Sequence, residues 1–300
     1  MRLFLITLVV LSSLSSFCQV DLFFSLEKEF DWSMVEKQNQ EVKAKFIENK
    51  PKKLGYYRDD DNEYLSSIFT ELETNLHIVD FNNDGLDDVI FHGHLGAESP
   101  FIVIFINTGN SFTEIFFDHQ EIYKMVFKNG KVHRLYIKSG GCCCDYIEAN
   151  KVYEVDYSSE LPKIHLINQT QYVIEFYINR WGIDTSNKVE YPSKYFHKPV
   201  KFKVLNNKYN IRFSPTIKDI PEIQVCGEVS NGNSLGKIKA GSIGYALAEK
   251  TDSTGRIWWF VAMNPNTKFY KSLYYDDKKR PNSYKLGWIS SRFVKEINEE

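Results

Sequence analysis

Asp80, Asn82, Asp84 and Asp88 occupy positions 1, 3, 5 and 9 of one short stretch, with Gly85 at position 6 and the Leu86 carbonyl at position 7. Alternating carboxylate and amide oxygens suit a hard cation, and calcium takes about 6–8 oxygen ligands in a pliable cage. Gly85 sits where the chain must reverse sharply, a turn that a Cβ resists. Asp/Asn/Gly-rich stretches are also common as plain solvated turns, but the regular spacing of the oxygens favours a metal. The expectation is a calcium site built from Asp80, Asn82, Asp84, the Leu86 carbonyl and Asp88.

The flanks at 77–79 and 89–91 are β-branched and aromatic, so the loop reads as the tip of a strand–loop–strand unit. An EF-hand needs Glu at position 12 and a helix on either side; here position 12 is Phe91 and no helical period flanks the loop. The pattern resembles instead the FG-GAP (VCBS) repeat, in which an Asp-x-Asn-x-Asp-Gly-x-x-Asp loop binds calcium at a hairpin of a propeller blade. Ile104, Asn107, Gly109 and Phe112 look like the strand and turn that close such a repeat, and the resemblance covers about residues 76–115. It implies Ca2+ as the cofactor.

Other residues that do chemistry elsewhere are less well placed. His92 and His94 lie two apart beside the acidic loop, on one face of a strand, yet no third ligand is spaced to complete a zinc site. A cysteine hydrolase would pair a thiol from Cys142–Cys144 with His133 or His165, and such a nucleophile needs an activating setting. That envelope hydrolase is the alternative reading. No nucleophile elbow, phosphate loop or dinucleotide fingerprint is present. No catalytic residue is assigned, and the chain reads as non-enzymatic.

Cys142, Cys143, Cys144 and Cys226 are an even set, which in an oxidising compartment suggests bridges. Either one of the three joins Cys226, or a bridge forms within the triplet. The compartment follows from the amino terminus. Arg2 precedes a short apolar run from 3 to 14 and a small-residue exit that ends at Cys18. That run is too short for a bilayer, which needs about 20 residues, so 1–18 reads as a cleaved signal peptide. Export to the periplasm or outside the cell is expected; a lipoprotein anchored at Cys18 is the rival. No other stretch is long and apolar enough to cross a membrane.

With 37 Lys and Arg against 39 Asp and Glu, the net charge of −2 carries no footprint for nucleic acid. The chain holds 18 Tyr and 22 Phe but only 16 Gly, which favours packed β-structure. The best helical pattern runs over 32–46, ahead of the breaker Pro51, with a weaker one over 64–72. From 76 to 180 strands dominate, and Asn129-Gly130 between two alternating runs is a two-residue hairpin signal. A closed propeller needs at least four blades of four strands, too many for this length. An antiparallel meander, partly propeller-like, with helices packed on it is expected over 19–198.

Residues 199–300 form the expected second domain. Tyr209, Arg212 and Pro215, then Ser234, Gly236 and Gly241, then Ile257, Trp258 and Trp259, then Leu286, Gly287, Trp288 and Val294 follow in order. They resemble the strands of a bacterial Src homology 3 domain over about 200–297. The resemblance implies a small β-barrel that binds a peptide, a protein or peptidoglycan. Trp259 and Trp288 are expected in its core. The stretch 264–285 departs from the pattern as an insertion carrying Tyr270, Tyr274, Tyr275 and Tyr284 beside Lys278, Lys279 and Arg280. A long loop in so small a domain is usually functional or disordered, so these tyrosines are the ligand-binding candidates. The whole reads as a mainly β, exported, calcium-binding recognition or adhesion protein of the cell envelope.

Overall fold

The structure is a computed structural model that describes residues 30–48, 73–93, 100–119, 121–139, 147–173, 190–218, 223–225, 228–230, 232–274 and 282–297. It is mainly β, as the aromatic and β-branched composition implies; the one α-helix with described bounds is short. The signal segment 1–18, the second helical pattern at 64–72 and all five cysteines lie outside the described residues. Among the described residues no helix is long and apolar enough to cross a membrane. The chain divides into two compact units, one of residues 26–143 and 150–167, the other of residues 168–300 with 144–149 and 1–25, whereas the sequence reading divides it at 198/199.

In the first unit, β1 (Leu76–Val79), β2 (Asp88–Gly93), β3 (Phe101–Asn107) and β4 (Phe112–His119) form an antiparallel sheet in that order. Side chains alternate between its faces because strand period is two. Leu76, Ile78, Val89, Phe91, Val103 and Phe105 pack on one side with Phe46. Val79, Ile90, Ile102, Ile104 and Ile106 pack on the other. Both faces are covered, which is why β3 reads as a continuous apolar run rather than an alternating one.

The second of these faces is covered by the hairpin β5 (Glu121–Lys128) and β6 (Lys131–Ser139), through Val132, Leu135 and Ile137. Asn129 and Gly130 both take positive φ, 54° and 79°, the geometry a two-residue hairpin requires. Next come β7 (Ile147–Asp156) and β8 (Lys163–Val173), in the sheet order β5-β6-β7-β8.

The first face is covered by α1 (Gln40–Glu48), which buries Phe46 completely. Removing that ring should cost about 3–5 kcal/mol. The expected single helix over 32–46 is not what forms. Trp32–Met34 is one 3-10 turn capped by Asp31, whose carboxylate accepts the Ser33 N–H at 3.1 Å. Lys37 N–H then pairs with the Ile78 carbonyl at 2.7 Å, which holds the chain extended beside β1. The helix starts only after Asn39, whose side-chain oxygen accepts from Val42 N–H at 3.2 Å. A local cap and a tertiary backbone bond together override the propensity.

The second unit holds β9 (Val200–Val204), β10 (Tyr209–Arg212), β11 (Ile223–Val225), β12 (Glu228–Ser230), β13 (Ser234–Ile238), β14 (Ile243–Thr251), β15 (Ile257–Met263), β16 (Phe269–Ser272), β17 (Ser283–Ser290) and β18 (Val294–Glu296). Its main path runs β18-β9-β14-β15-β17, and β10 links β17 to β13, which pairs in turn with β16. Gln169, Thr170 and Gln171 at the end of β8 add in parallel to Ser283, Tyr284 and Lys285, which groups residues 168–173 with this unit. Hydrogen bonding closes no ring among the described strands. Gly287 is obligatory here: a Cβ would stand 2.7 Å from Ile211 and 2.8 Å from Leu235, where β10 crosses β17.

Trp258, Phe260 and Trp288 fill the core, with Phe260 directly opposite Trp288. Trp288 is buried as expected, but Trp259 is the half-buried member of the tryptophan pair and Trp258 the buried one. The pairing of Phe260 with Trp288 decides this, since Trp258 shares its face.

Candidate metal centre

The acidic stretch is the turn of the β1–β2 hairpin, whose last rung pairs Val79 with Asp88. Asn83 and Gly85 take φ of 54° and 89°, so the chain reverses through two left-handed residues. A Cβ at Gly85 would meet no atom within 4 Å, so glycine is there for its backbone rather than for space. Asp80 Oδ1 and Asn82 Oδ1 converge on one donor, the Asp84 N–H, each at 3.2 Å. Asp84 Oδ1 accepts from Leu86 N–H at 2.8 Å, and its Oδ2 accepts from Asn82 Nδ2 at 2.8 Å. Three of the expected ligand side chains thus face one another across the loop.

Asp88 plays a different part. Its carboxylate is fully buried; Oδ2 accepts from Phe81 N–H and Oδ1 from Asn107 N–H, both at 2.8 Å. Burial pushes its pKa up to about 7; the Asn107 and Phe81 hydrogen bonds pull it down, and the Asp84 and Asp80 charges push it up again. A carboxylate offers about four lone-pair sites, so two accepted bonds leave it able to face a cation as well. A bound divalent ion would reverse the penalty on its charge.

The donor set therefore fits calcium in type: three carboxylates, an amide oxygen and a carbonyl. Among the described residues no three His, Cys, Asp or Glu side chains are gathered as a ready metal cage. The ion's own attraction would have to draw in Asp80 and Asp84, which agrees with a loop whose oxygens now satisfy backbone N–H groups.

Sequence reasoning missed the rim of the loop. Lys37 places its ammonium 2.6 Å from Asp87 Oδ1 and 3.5 Å from Asp80 Oδ2. Its pKa is raised, first by the hydrogen bond to Asp87. Asn39 donates from Nδ2 to Asp87 Oδ2 at 2.7 Å. Burial would raise the Asp87 pKa, yet the bonds from Lys37 and Asn39 hold it below the usual carboxylate range. Asn107 donates from Nδ2 to the Asp87 carbonyl at 3.0 Å, and its Oδ1 accepts from Gly109 N–H at 2.9 Å. Of these, only Asn107 carried a signal, as the residue ending a strand before Gly109. On the far side, Val132 N–H bonds the Phe81 carbonyl at 3.0 Å, and the Tyr157 hydroxyl lies 2.7 Å from the Val132 carbonyl.

The remaining candidates scatter. His77 stacks on Trp32 with ring centres 3.7 Å apart. Burial, with help from Lys43, lowers its pKa to about 4, so it is neutral at pH 7 and its 3.4 Å approach to Glu36 is no ion pair there. His92 faces Trp32 Nε1 from Nδ1 and Ile122 N from Nε2, both at 3.3 Å. Its ring nitrogens are engaged within the unit, and His94 lies outside the described residues. His133 approaches Glu154 at 3.8 Å, while the thiols that a hydrolase would need at Cys142–Cys144, and Cys226, are outside the described residues.

The described tyrosines of the 264–285 stretch do not share one surface. Phe269–Ser272 is strand β16, paired with β13, so the segment is partly sheet rather than a free loop. Tyr274, expected to bind a ligand, is only 7 % exposed and donates its hydroxyl to the Leu286 carbonyl; it is a core side chain because Leu273 and Tyr274 turn inward after β16. Tyr284 packs half-buried near Tyr245. Tyr270 is 48 % exposed, with Lys239 Nζ 5.2 Å from its ring centre. Tyr275, Lys278, Lys279 and Arg280 lie outside the described residues. Comparison of the chain with protein-family profiles, curated proteins and solved structures finds no match.

Proposed function

We propose that the chain is an exported, non-enzymatic recognition protein of the cell envelope that holds calcium in the loop from Asp80 to Asp88. The first unit is read as an FG-GAP-like calcium module. The second is read as a Src-homology-3-like module that binds a peptide, a protein or a cell-wall glycan. The observation that carries the reading is the convergence of Asp80 Oδ1 and Asn82 Oδ1 on the Asp84 N–H above a buried Asp88. Five oxygen donors within one hairpin turn match the appetite of calcium for oxygen, and the left-handed Asn83 and Gly85 are what such a turn needs. An organised turn at the end of a two-faced sheet is suited to binding, since its position is set by the hydrophobic layers behind it.

The test is retention on isolated cell-wall sacculi and in envelope extract, with calcium and with chelator, for the natural protein and for a variant with Cys142, Cys143 and Cys144 all changed to Ser. The reading predicts calcium-dependent retention that survives loss of the thiols. Function that disappears with the thiols in a protein that still melts normally would replace it with the hydrolase.

A further inference from the structure

Three segments far apart in sequence meet in the second unit: the start of β10, the start of β15, and the 3-10 turn Ser291–Phe293 after β17. Between them is a recess of about 170 Å3 whose lining includes Lys208, Arg212, Arg256 and Arg292 and, among the described residues, no acidic side chain. Tyr209, Trp258 and Phe293 supply its apolar walls. In a chain of net charge −2, four cations line this one hollow.

The usual explanation for such a cluster is pairing with the protein's own carboxylates. Lys37, Lys151, Lys250 and Arg134 form ion pairs with the protein's own carboxylates; among the described residues Lys208, Arg256 and Arg292 form none. Asp252, the acid nearest Arg256 in sequence, lies beside the recess, but N–H and O–H donors already occupy its oxygens. Its Oδ2 accepts from Trp258 Nε1 at 2.9 Å, and its Oδ1 accepts from the N–H groups of Thr254 and Arg256 and from the Thr254 hydroxyl. Arg256 lies with its guanidinium carbon 5.7 Å from the Trp258 ring centre, and its buried Nε has no hydrogen-bond partner. A buried guanidinium N–H without an acceptor carries a desolvation cost that a ligand oxygen would remove.

The walls are fixed. The Tyr209 hydroxyl donates to the Ser290 carbonyl at 2.7 Å, and its ring meets Phe293 edge-on at 5.8 Å. Burial pushes the Tyr209 phenol up, while its bond to Ser290 and then the charges of Arg256, Arg212 and Arg292 pull it down; all three arginines line the recess beside Tyr209. Planar guanidinium forks bind carboxylates and phosphates in pairs of parallel hydrogen bonds, and rigid aromatic walls lower the ordering cost of a bound chain.

We infer that this recess is an oxyanion-binding site, whose natural ligand is a carboxylate of an acidic peptide. The inference rests on the reading of the second unit as a binding module and names the ligand class it takes. A recess of about 170 Å3 holds a carboxylate-bearing side chain more readily than a folded surface, and its cations complement the negative charge of an acidic peptide.

Calorimetric titration at low salt, with the full chain, uses four arms: an N-acetylated triglutamate peptide, the matching triglutamine peptide, inorganic phosphate, and triglutamate again at high salt. Triglutamate should bind, and raised salt should weaken it. Arg256→Gln and Arg292→Gln should each weaken it about tenfold, while Lys295→Gln, which removes an exposed charge outside the recess, should change it less than twofold. Arg292 is exposed, so that variant tests the site even if Arg256→Gln melts early. Phosphate binding lost in the same variants, without triglutamate binding, would keep the oxyanion site and reject the peptide as its source. The inference is overturned if neither anion binds, or if the arginine variants bind as the natural protein does. Equal binding of triglutamine also overturns it, and leaves the recognition reading in place.

Discussion

Asn107 donates its backbone N–H to Asp88 Oδ1 at 2.8 Å, tying the last residue of β3 to the first residue of β2 through a side chain with no exposure to solvent. The opposite oxygen takes the Phe81 N–H, so one carboxylate satisfies two backbone donors at the base of the loop. Asp88 is both a candidate ligand and the post on which the loop is built, and these roles separate under mutation.

Asp88→Ala should lower stability by about 3 kcal/mol in chelator, because two buried N–H groups lose a charged acceptor. Asp84→Ala, at the exposed tip, should cost under about 1 kcal/mol in chelator. Denaturant unfolding of both variants checks the contrast; equal losses would contradict the division of roles.

His77 links folding to pH. Its pKa falls from 6.5 to about 4 on folding, so the unfolded chain binds more protons between those values. Stability from this group is therefore present above pH 6.5 and is lost as pH falls toward 4, by roughly 3 kcal/mol over the window. Asp88 has the opposite sign: its raised pKa makes its contribution fall as pH rises from 3.8 to about 7. His77→Phe keeps a ring against Trp32, and the difference between the natural protein and this variant cancels the Asp88 part. That difference should decline on acidification; a flat difference would contradict the assignment.

Much of the first unit is legible in sequence because its signals are local. The β1–β2 hairpin follows from flanks of Ile78, Val79, Val89 and Ile90 around an Asn/Asp/Gly loop, and the β5–β6 turn follows from Asn129-Gly130. What is not legible depends on contacts across the chain. Lys37 and Asn39 sit in a stretch with helical composition, and only docking against Ile78 and Asp87 draws them to the loop. Trp258 and Trp259 are equivalent by pattern; the choice rests on which faces Trp288, a matter of register between β15 and β17. The cationic recess escapes sequence reading altogether, since Lys208, Arg256 and Arg292 belong to three separate elements.

Lys37 is an internal cation at the rim of the loop, 3.5 Å from Asp80. Replacing it with Met removes a competing charge, so Lys37→Met should bind calcium several-fold more tightly, a gain of about 1 kcal/mol. Calorimetric titration measures it; weaker binding would mean that Lys37 organises the loop for the ion instead of competing with it.

Tyr274 tests the core assignment in the second unit. Tyr274→Phe removes the bond to the Leu286 carbonyl and leaves a buried acceptor, which should cost about 1–2 kcal/mol. Binding of triglutamate should not change. Weaker ligand binding at unchanged stability would return this tyrosine to a ligand surface.

The central claim is calcium in the Asp80–Asp88 loop, and thermal unfolding in chelator and in calcium addresses it most directly. Single loops of this kind bind with dissociation constants of about 10⁻⁴–10⁻³ M, so the titration must reach about 10 mM, where mass action adds roughly 1–3 kcal/mol. The account predicts a melting temperature that climbs with calcium, does not climb with the same concentration of magnesium, and stays fixed for Asp84→Ala. A melting temperature that is the same in chelator and in calcium for the natural protein would contradict it.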